Sequence, residues 1–328
     1  VSVQAPAAVV MIRPHHFAPN PDTLADNGFQ PNLDGIDPAL LAASAYDEVT
    51  RAAAALETAG VTVHLFEDES GHRPDGVFPN NWISTHSGGH VALYPMFTPN
   101  RRTERRGDIV EMLKASYRVQ DVIDYSGLEV DDVFLEGTGA MVLDHELRIA
   151  YAARSNRADP IALERFCTNF GYEPMVFDAV DGRGVAVYHT NVILSIATEF
   201  ALVAADMLVS PARRREVLDR LAARGRRDVI AISDEQADEF CGNALELWGS
   251  QGRVLALSRR AFQALTADQR CRIERSARLL PLDVPTIELA GGSVRCMLAG
   301  IHLDPRPGLA GRRETPADGA VADEAAAI

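Results

Sequence analysis

The chain has 328 residues, 47% of them hydrophobic, with 32 basic and 46 acidic side chains and a formal net charge of −14. That is apolar material for one large domain or two ordinary ones, and a surface this acidic repels phosphate backbones, which excludes nucleic acid and anionic membranes as partners. No apolar run approaches the ~20 residues of a membrane span, and the start VSVQAPAAVVMIRP lacks a signal-peptide layout, so a cytoplasmic location is expected.

Residues 7–13 (AAVVMIR) read as a buried strand. A helix is predicted over 38–59, where Pro38 suits the first turn, the interior is alanine-rich and Gly60 stops it. Strands follow at 61–66 (VTVHLF) and, after a polar loop, at 90–96 (HVALYPM). Residues 101–117 read as a helix and RVQDVIDY as a strand. The strands AMVLD and ELRIAY then lead to a helix over 160–170 and to EPMVFD. VAVYH, NVILSIA and ALVAA lead to a helix over 211–224 and to DVIAI. ALELWG and RVLALS lead to a helix near 267–277, short strands, and GGSVRCMLAGIHL, where Cys296 is set in an apolar, strand-like run. Strand, strand, helix, strand recurs about five times, whereas a Rossmann fold would alternate single strands and helices. Such units bury their sheets against one another in a ring. Residues 304–328, rich in Pro, Gly, Ala and charge, are expected to form a disordered tail.

No CxxC joins Cys167, Cys241, Cys271 and Cys296, and there is no GxxxxGK[ST], no GxGxxG after a strand and no HExxH. Zinc, nucleotide and metalloprotease chemistry therefore have no footing, and no cofactor or metal is expected. A cysteine nucleophile needs a histidine to hold it as thiolate or to move protons. His189, at a strand end among small polar residues (VYHTNVILS), meets that need. Glu136 precedes a Gly-Thr-Gly turn in FLEGTGAMVLD, where it can orient or share protons, and the glycines let the backbone come close to a ligand. Singly, each residue reads more simply: Cys296 as core, His189 as structural, Glu136 as a cap.

In order, LEGTGAMVLD, SNR, YHTN and GGSVRC resemble the guanidino-group-modifying enzymes of the pentein (amidinotransferase) superfamily. The resemblance implies an α/β pentein fold, a five-bladed α/β propeller of ββαβ modules with pseudo-fivefold symmetry, over residues 1–303 as a single catalytic domain. It implies Cys296 as nucleophile, His189 as general acid and base, and Glu136 as the carboxylate of the turn. Arg154 in AARSNRAD would hold the substrate α-carboxylate, a task that suits a bidentate guanidinium. Arg101 or Arg102 in PNRRTER would supply a second carboxylate-side arginine, the other arginines there being a solvated face.

The departures from the pattern bear on the substrate. In GVFPNNWISTH, Asn80 and Asn81 stand where relatives have an acidic or Arg-Asp pair, and Asn191 in HTN stands where arginine deiminases have an aspartate. A dry cationic substrate demands a carboxylate, while an amide offers a donor and an acceptor to a neutral urea. Taken alone, Asn80 and Asn81 make good turn chemistry. With Asn191 they resemble the citrulline-hydrolysing (CtlX-type) branch: L-citrulline to L-ornithine, ammonia and carbon dioxide through a covalent Cys296 intermediate. The alternatives are an arginine deiminase or dimethylarginine dimethylaminohydrolase-like enzyme, an amidinotransferase, and a non-catalytic pentein that binds a ligand or partner. Asn243, Trp82 and Phe78 are candidates to shape the pocket, and Phe17 and Asn20 to close over a small ureido or guanidino amino acid. His15 and His16 lack further metal ligands, Cys167, Cys241 and Cys271 read as packing, and homo-oligomerisation stays open.

Overall fold

The computed structural model describes residues 3–23 and 37–307. Its first strand, β1 (Ala8–Pro14), runs parallel to β2 (Thr62–Asp68), joined through helix α1 (Pro38–Thr58). Asp37 caps α1 by accepting from the Ala39 N–H, and Pro38 opens it, where a missing N–H costs nothing. Gly60, at φ +89°, turns the chain out of the helix; a Cβ there would sit 2.3 Å from the Ser250 nitrogen. Leu41, Ala45, Val49, Ala52 and Leu56 recur on one face of α1 and pack on Val9 and Met11 of β1. Each large side chain buried there contributes about 1.5–3 kcal/mol.

The second module is β3 (Ile83–His86), β4 (His90–Leu93), α2 (Gly107–Ser116) and β5 (Asp121–Asp124). The third opens with a single turn, α3 (Gly137–Ala140), and continues through β6 (Met141–Asp144), β7 (Ile149–Ala153), α4 (Pro160–Phe170) and β8 (Glu173–Phe177). The fourth is β9 (Leu194–Ile196), β10 (Phe200–Val203), α5 (Pro211–Leu221) and β11 (Asp228–Ala231). After a short helix α6 (Asp234–Asp238), the fifth is β12 (Leu245–Gly249), β13 (Gly252–Ser258), α7 (Arg259–Ala264), α8 (Ala267–Glu274) and β14 (Arg278–Leu282). The described chain ends through α9 (Pro285–Glu288), α10 (Val294–Met297) and β15 (Ala299–Gly300).

Each of the five sheets has three strands, the first pair antiparallel and the second parallel. The first sheet is β15-β1-β2, so the strand that completes the N-terminal module comes from the far end of the chain. Residues of β3, β6, β9, β12 and β15 line one cavity, which puts the innermost strand of every module around a common axis. This is the α/β pentein architecture of five ββαβ modules.

Several expectations are corrected. Cys296 lies in the one-turn helix α10, its N–H donating to the Ser293 carbonyl, and only Ala299–Gly300 after it is strand. VAVYH is not a strand; apart from an isolated bridge between Val180 and Ala186 it is a loop that delivers His189. The helix expected over 101–117 is split into a 3-10 segment, Pro99–Glu104, and α2, with Arg106 extended between them. The break turns Arg101 and Glu104 inward. Asp304 and Arg306, assigned to the tail, are tied to the domain: the Arg118 N–H donates to Asp304 O at 2.8 Å, and the Arg306 N–H to Ser116 O at 2.9 Å. Residues 308–328, like 24–36, lie outside the described residues. No helix among the described residues is long and apolar enough to cross a membrane.

Candidate active site

Glu136 precedes the α3 turn and is fully buried. Its Oε2 accepts from His189 Nε2 at 2.8 Å, from Arg157 Nη1 at 3.3 Å and from Arg101 Nη1 at 3.4 Å; its Oε1 accepts from the Phe97 N–H at 3.1 Å. Burial works to raise the Glu136 pKa, but the guanidinium charges of Arg157 and Arg101 and the His189 hydrogen bond hold it well below the usual carboxylate range. His189 is buried too. Desolvation lowers its pKa to about 4 against the pull of Glu136. A neutral imidazole that gives Nε2–H to a carboxylate keeps Nδ1 as its free base.

The Gly-Thr-Gly turn serves side chains as much as backbone. A Cβ on Gly139 would lie 2.2 Å from Asn81 Oδ1 and 3.1 Å from His189 Cε1 and Nδ1, and one on Gly137 would lie 2.5 Å from the Asn80 carbonyl oxygen. The turn therefore closes the 3-10 segment Pro79–Asn81 onto the histidine. Thr190 locks the other side, donating to Ala140 O and accepting from the Ala153 N–H.

Cys296 is 3% exposed. Two carboxamides donate to its Sγ: Asn243 Nδ2 at 3.3 Å and Asn191 Nδ2 at 3.5 Å. Asn243 also donates to Asn191 O and accepts the Arg295 N–H at 3.0 Å, so it holds α10 and the Thr190–Val192 turn in one frame. Of the other cysteines, Cys167 and Cys241 are pushed up to about 12 by burial, and Cys271 is exposed.

Cys296, His189, Asn81, Arg101, Arg157, Asp75, Phe78, Tyr188, Thr23 and Gly291–Gly292 line one cavity. Arg101 makes a two-pronged bond to Glu104, at 2.9 and 3.0 Å, and approaches Asp75 at 3.4 Å. Burial lifts Glu104 to about 7, with Arg101 pulling the other way. Asp75 accepts from Asn20 Nδ2 at 2.8 Å.

The structure thus brings Cys296, His189, Glu136, Asn81, Asn191 and Arg101 together. It corrects Arg154, which is exposed and paired with Asp178 at 2.8 Å outside the cavity; the inward arginine is Arg157, three residues on. Asn80 is buried but absent from the cavity wall, with neither amide atom partnered among the described residues. Trp82 is core, Phe17 packs with Phe78 and Cys296, His15 bonds to Glu67 and His16 is exposed. Sequence reading missed Arg157, Asp75 and Glu104. Only Arg157 left a signal, in the quoted SNR: the Ser155–Ala158 bridge is a tight reversal after β7 that turns Arg157 inward. No group of three or more potential metal ligands occurs among the described residues.

Among solved structures, the chain is similar to the N-terminal domain of ArgZ, an arginine dihydrolase from the ornithine-ammonia cycle in cyanobacteria, with TM-score 0.71 and 15% identity over 90% of this chain and 98% of that one. AgrE in complex with L-arginine gives a TM-score of 0.69 at 18% identity, covering 92% of this chain and 41% of that one. A dimethylarginine dimethylaminohydrolase adduct with S-methyl-L-thiocitrulline gives 0.59 at 16% identity, covering 90% and 99%. The chain spans 42% of full-length ArgZ. At such identities these likenesses show the fold. No curated protein sequence matches. The family model described as N,N dimethylarginine dimethylhydrolase, eukaryotic, matches residues 13–303, a span that holds every residue of the cavity wall, and the chain belongs to that family within the guanidino-group-modifying pentein superfamily.

Proposed function

We propose that this chain is a cysteine-dependent hydrolase that converts L-citrulline to L-ornithine, ammonia and carbon dioxide. The observation that carries the reading is that both side chains donating to Cys296 Sγ are carboxamides, Asn191 and Asn243. Attack of sulfur on a ureido carbon puts negative charge on the ureido oxygen, and N–H donors stabilise that charge where a carboxylate would oppose it. Asn81 Oδ1, buried and without a donor among the described residues, offers an acceptor on the cavity wall to a ureido N–H. An unfilled acceptor of this kind costs about 1–3 kcal/mol, which a substrate N–H would relieve.

The Cys296 proton passes to His189 Nδ1 as the S–C bond forms. His189 returns it to the δ-nitrogen as the C–N bond breaks, ornithine leaves, and Cys296 carries a carbamoyl group. His189 then takes a proton from water, the hydroxide adds to the carbonyl, and the C–S bond breaks to give carbamic acid, which decays to ammonia and carbon dioxide, while His189 returns its proton to the Cys296 sulfur. Glu136 holds His189 in the required tautomer throughout. Loss of ammonia first would give the same final products. Arg157 and Arg101 are the cations available to the substrate α-carboxylate, and Asp75 is the carboxylate available to its ammonium group.

A second reading, hydrolysis of arginine or a methylated arginine, is favoured by Asp75, a carboxylate on the cavity wall that could face a guanidinium. Purified protein offered L-citrulline, L-arginine and asymmetric dimethylarginine separately, with ammonia, ornithine and citrulline assayed and Cys296→Ala as control, decides between them. Ornithine and ammonia from citrulline alone, lost in the variant, is the expected result. Turnover confined to arginine or dimethylarginine would overturn the ureido reading while keeping the nucleophile.

A further inference from the structure

Behind the cysteine turn, on the pseudo-fivefold axis, lies a second cavity to which every module contributes: Thr85, Leu143, Ser195, Leu245 and Gly300 belong to the five innermost strands. Its chemistry is one-sided. Arg295, His145 and His302 line it, and none of the described residues that line it is acidic. The imidazoles of His145 and His302 stack with centroids 3.8 Å apart, and the Tyr172 hydroxyl bonds to His145 Nδ1 at 3.0 Å. Arg295 donates from Nη1 to Leu298 O at 3.0 Å. Among the described residues no carboxylate acts on it; burial lowers its pKa to about 10, and Cys296 is the one group whose charge supports it. A guanidinium held among uncharged walls is costly without a counter-ion; burial keeps both imidazoles neutral, each with a single N–H, and the Val3 backbone engages the one on His302, which leaves His145 as the imidazole that can add a donor.

The cavity is tied to the nucleophile through covalent and hydrogen bonds. Arg295 immediately precedes Cys296, its N–H donates to Asn243 Oδ1, and Asn243 Nδ2 donates to Cys296 Sγ. Positive charge on Arg295 and negative charge on Cys296 favour one another, so an anion bound to Arg295 would compete with charge developing on the sulfur. We infer that the axial cavity is a binding site for a small inorganic anion, of the size of chloride or bicarbonate, held by Arg295 beside His145, and that its occupancy slows the reaction of Cys296 with electrophiles. The site is separate from the substrate cavity and acts whichever ureido or guanidino compound the enzyme hydrolyses.

The test uses the full chain at fixed pH and ionic strength, with gluconate replaced stepwise by chloride in one arm and by bicarbonate in the other. Two quantities are read: the melting temperature, and the rate at which iodoacetamide alkylates Cys296, followed on the Cys296 peptide by mass spectrometry so that exposed Cys271 does not interfere. Expected are a saturable rise in melting temperature of about 2–4 °C and a several-fold slowing of Cys296 alkylation with the same midpoint, in at least one arm. Arg295→Gln should abolish both responses. His145→Gln, which keeps the guanidinium, should shift the midpoint to higher anion concentration and serves if Arg295→Gln does not fold. Responses that fail to saturate in the wild type, or that keep the wild-type midpoint in a folded variant, would overturn the inference.

Discussion

At the scale of single residues, the identity of position 191 ties charge to substrate choice. Asn191 Nδ2 is 3.5 Å from Cys296 Sγ and donates to it. Asn191→Asp replaces that donor with a negative charge of nearly the same shape. A carboxylate so close to the sulfur opposes negative charge there, so alkylation of Cys296 at neutral pH should slow about 10- to 1,000-fold. The citrulline kcat/KM should fall by about 10²–10³, the loss seen when an oxyanion donor is removed. A cationic guanidinium would be partly compensated by the new charge, so the ratio of arginine to citrulline turnover should rise. An unchanged ratio would mean that position 191 does not select by charge. Legibility at this scale is uneven. Cys296, His189 and Glu136 could be found because a thiol, an imidazole and a carboxylate stand beside glycines and small polar residues. Asp75 and Glu104 could not, because what distinguishes them is burial against Arg101, a tertiary fact. The arginine of the cavity was placed three residues early, at Arg154, because a local string does not say which way a reversal after a strand points its side chains.

At the scale of elements, the α3 turn divides its two glycines between folding and chemistry. Gly137 has φ +45° and would carry a Cβ into the carbonyl oxygens of Asn80 and Asn81, at 2.5 and 2.8 Å. Backbone atoms yield little, so Gly137→Ala should destabilise the protein by about 1–3 kcal/mol. The Cβ of Gly139→Ala would instead meet Asn81 Oδ1 and the His189 ring. Side chains can move, but a displacement of about 1 Å at a reacting group costs about 10²-fold in rate. Gly139→Ala should therefore lose kcat/KM with a smaller drop in melting temperature than Gly137→Ala; equal losses of stability and activity in both variants would show that the turn is only a packing element. Element boundaries follow the same division between local and distant causes. The α4 boundaries were legible from Asp159-Pro160 at its start and Gly171, at φ +64°, at its end. The sheet partner of β1 was not, because β15 arrives from the other end of the chain and is two residues long. Nor was the turn holding Cys296: MLAGI carries the apolar composition of a strand, and it is the Ser293 carbonyl and Asn243 that wind the chain into α10 before it.

At the scale of the whole molecule, the ring of five modules leaves a group of ionisable side chains sealed at one end of its axis, and global stability should register their protons. Glu104 and His189 act in opposite senses. His189, at about 4 in the fold, sits below the ordinary histidine value of 6.5, so the unfolded chain binds its proton more readily and stability is lost as pH falls from about 6.5 to 4. Glu104, at about 7, sits above the ordinary 4.5, so the folded state keeps a proton that the unfolded chain has released. The stability it contributes is complete below about pH 4.5 and is lost as pH rises through 7. Between about pH 4.5 and 6.5 the two slopes cancel, each being about 1.4 kcal/mol per pH unit. Glu104→Gln keeps the shape and an acceptor for Arg101 but holds no titrating proton. Its stability relative to wild type, measured by urea unfolding at pH 5, 6 and 7, should therefore improve by about 1.4 kcal/mol per pH unit. The difference between the two proteins removes the titrating groups that do not act on Glu104, and any constant cost of the substitution shifts the line without changing its slope. Parallel pH profiles would place the Glu104 proton in solution, and an opposite slope would mean that the Arg101 charge outweighs burial and the cavity holds Glu104 ionised.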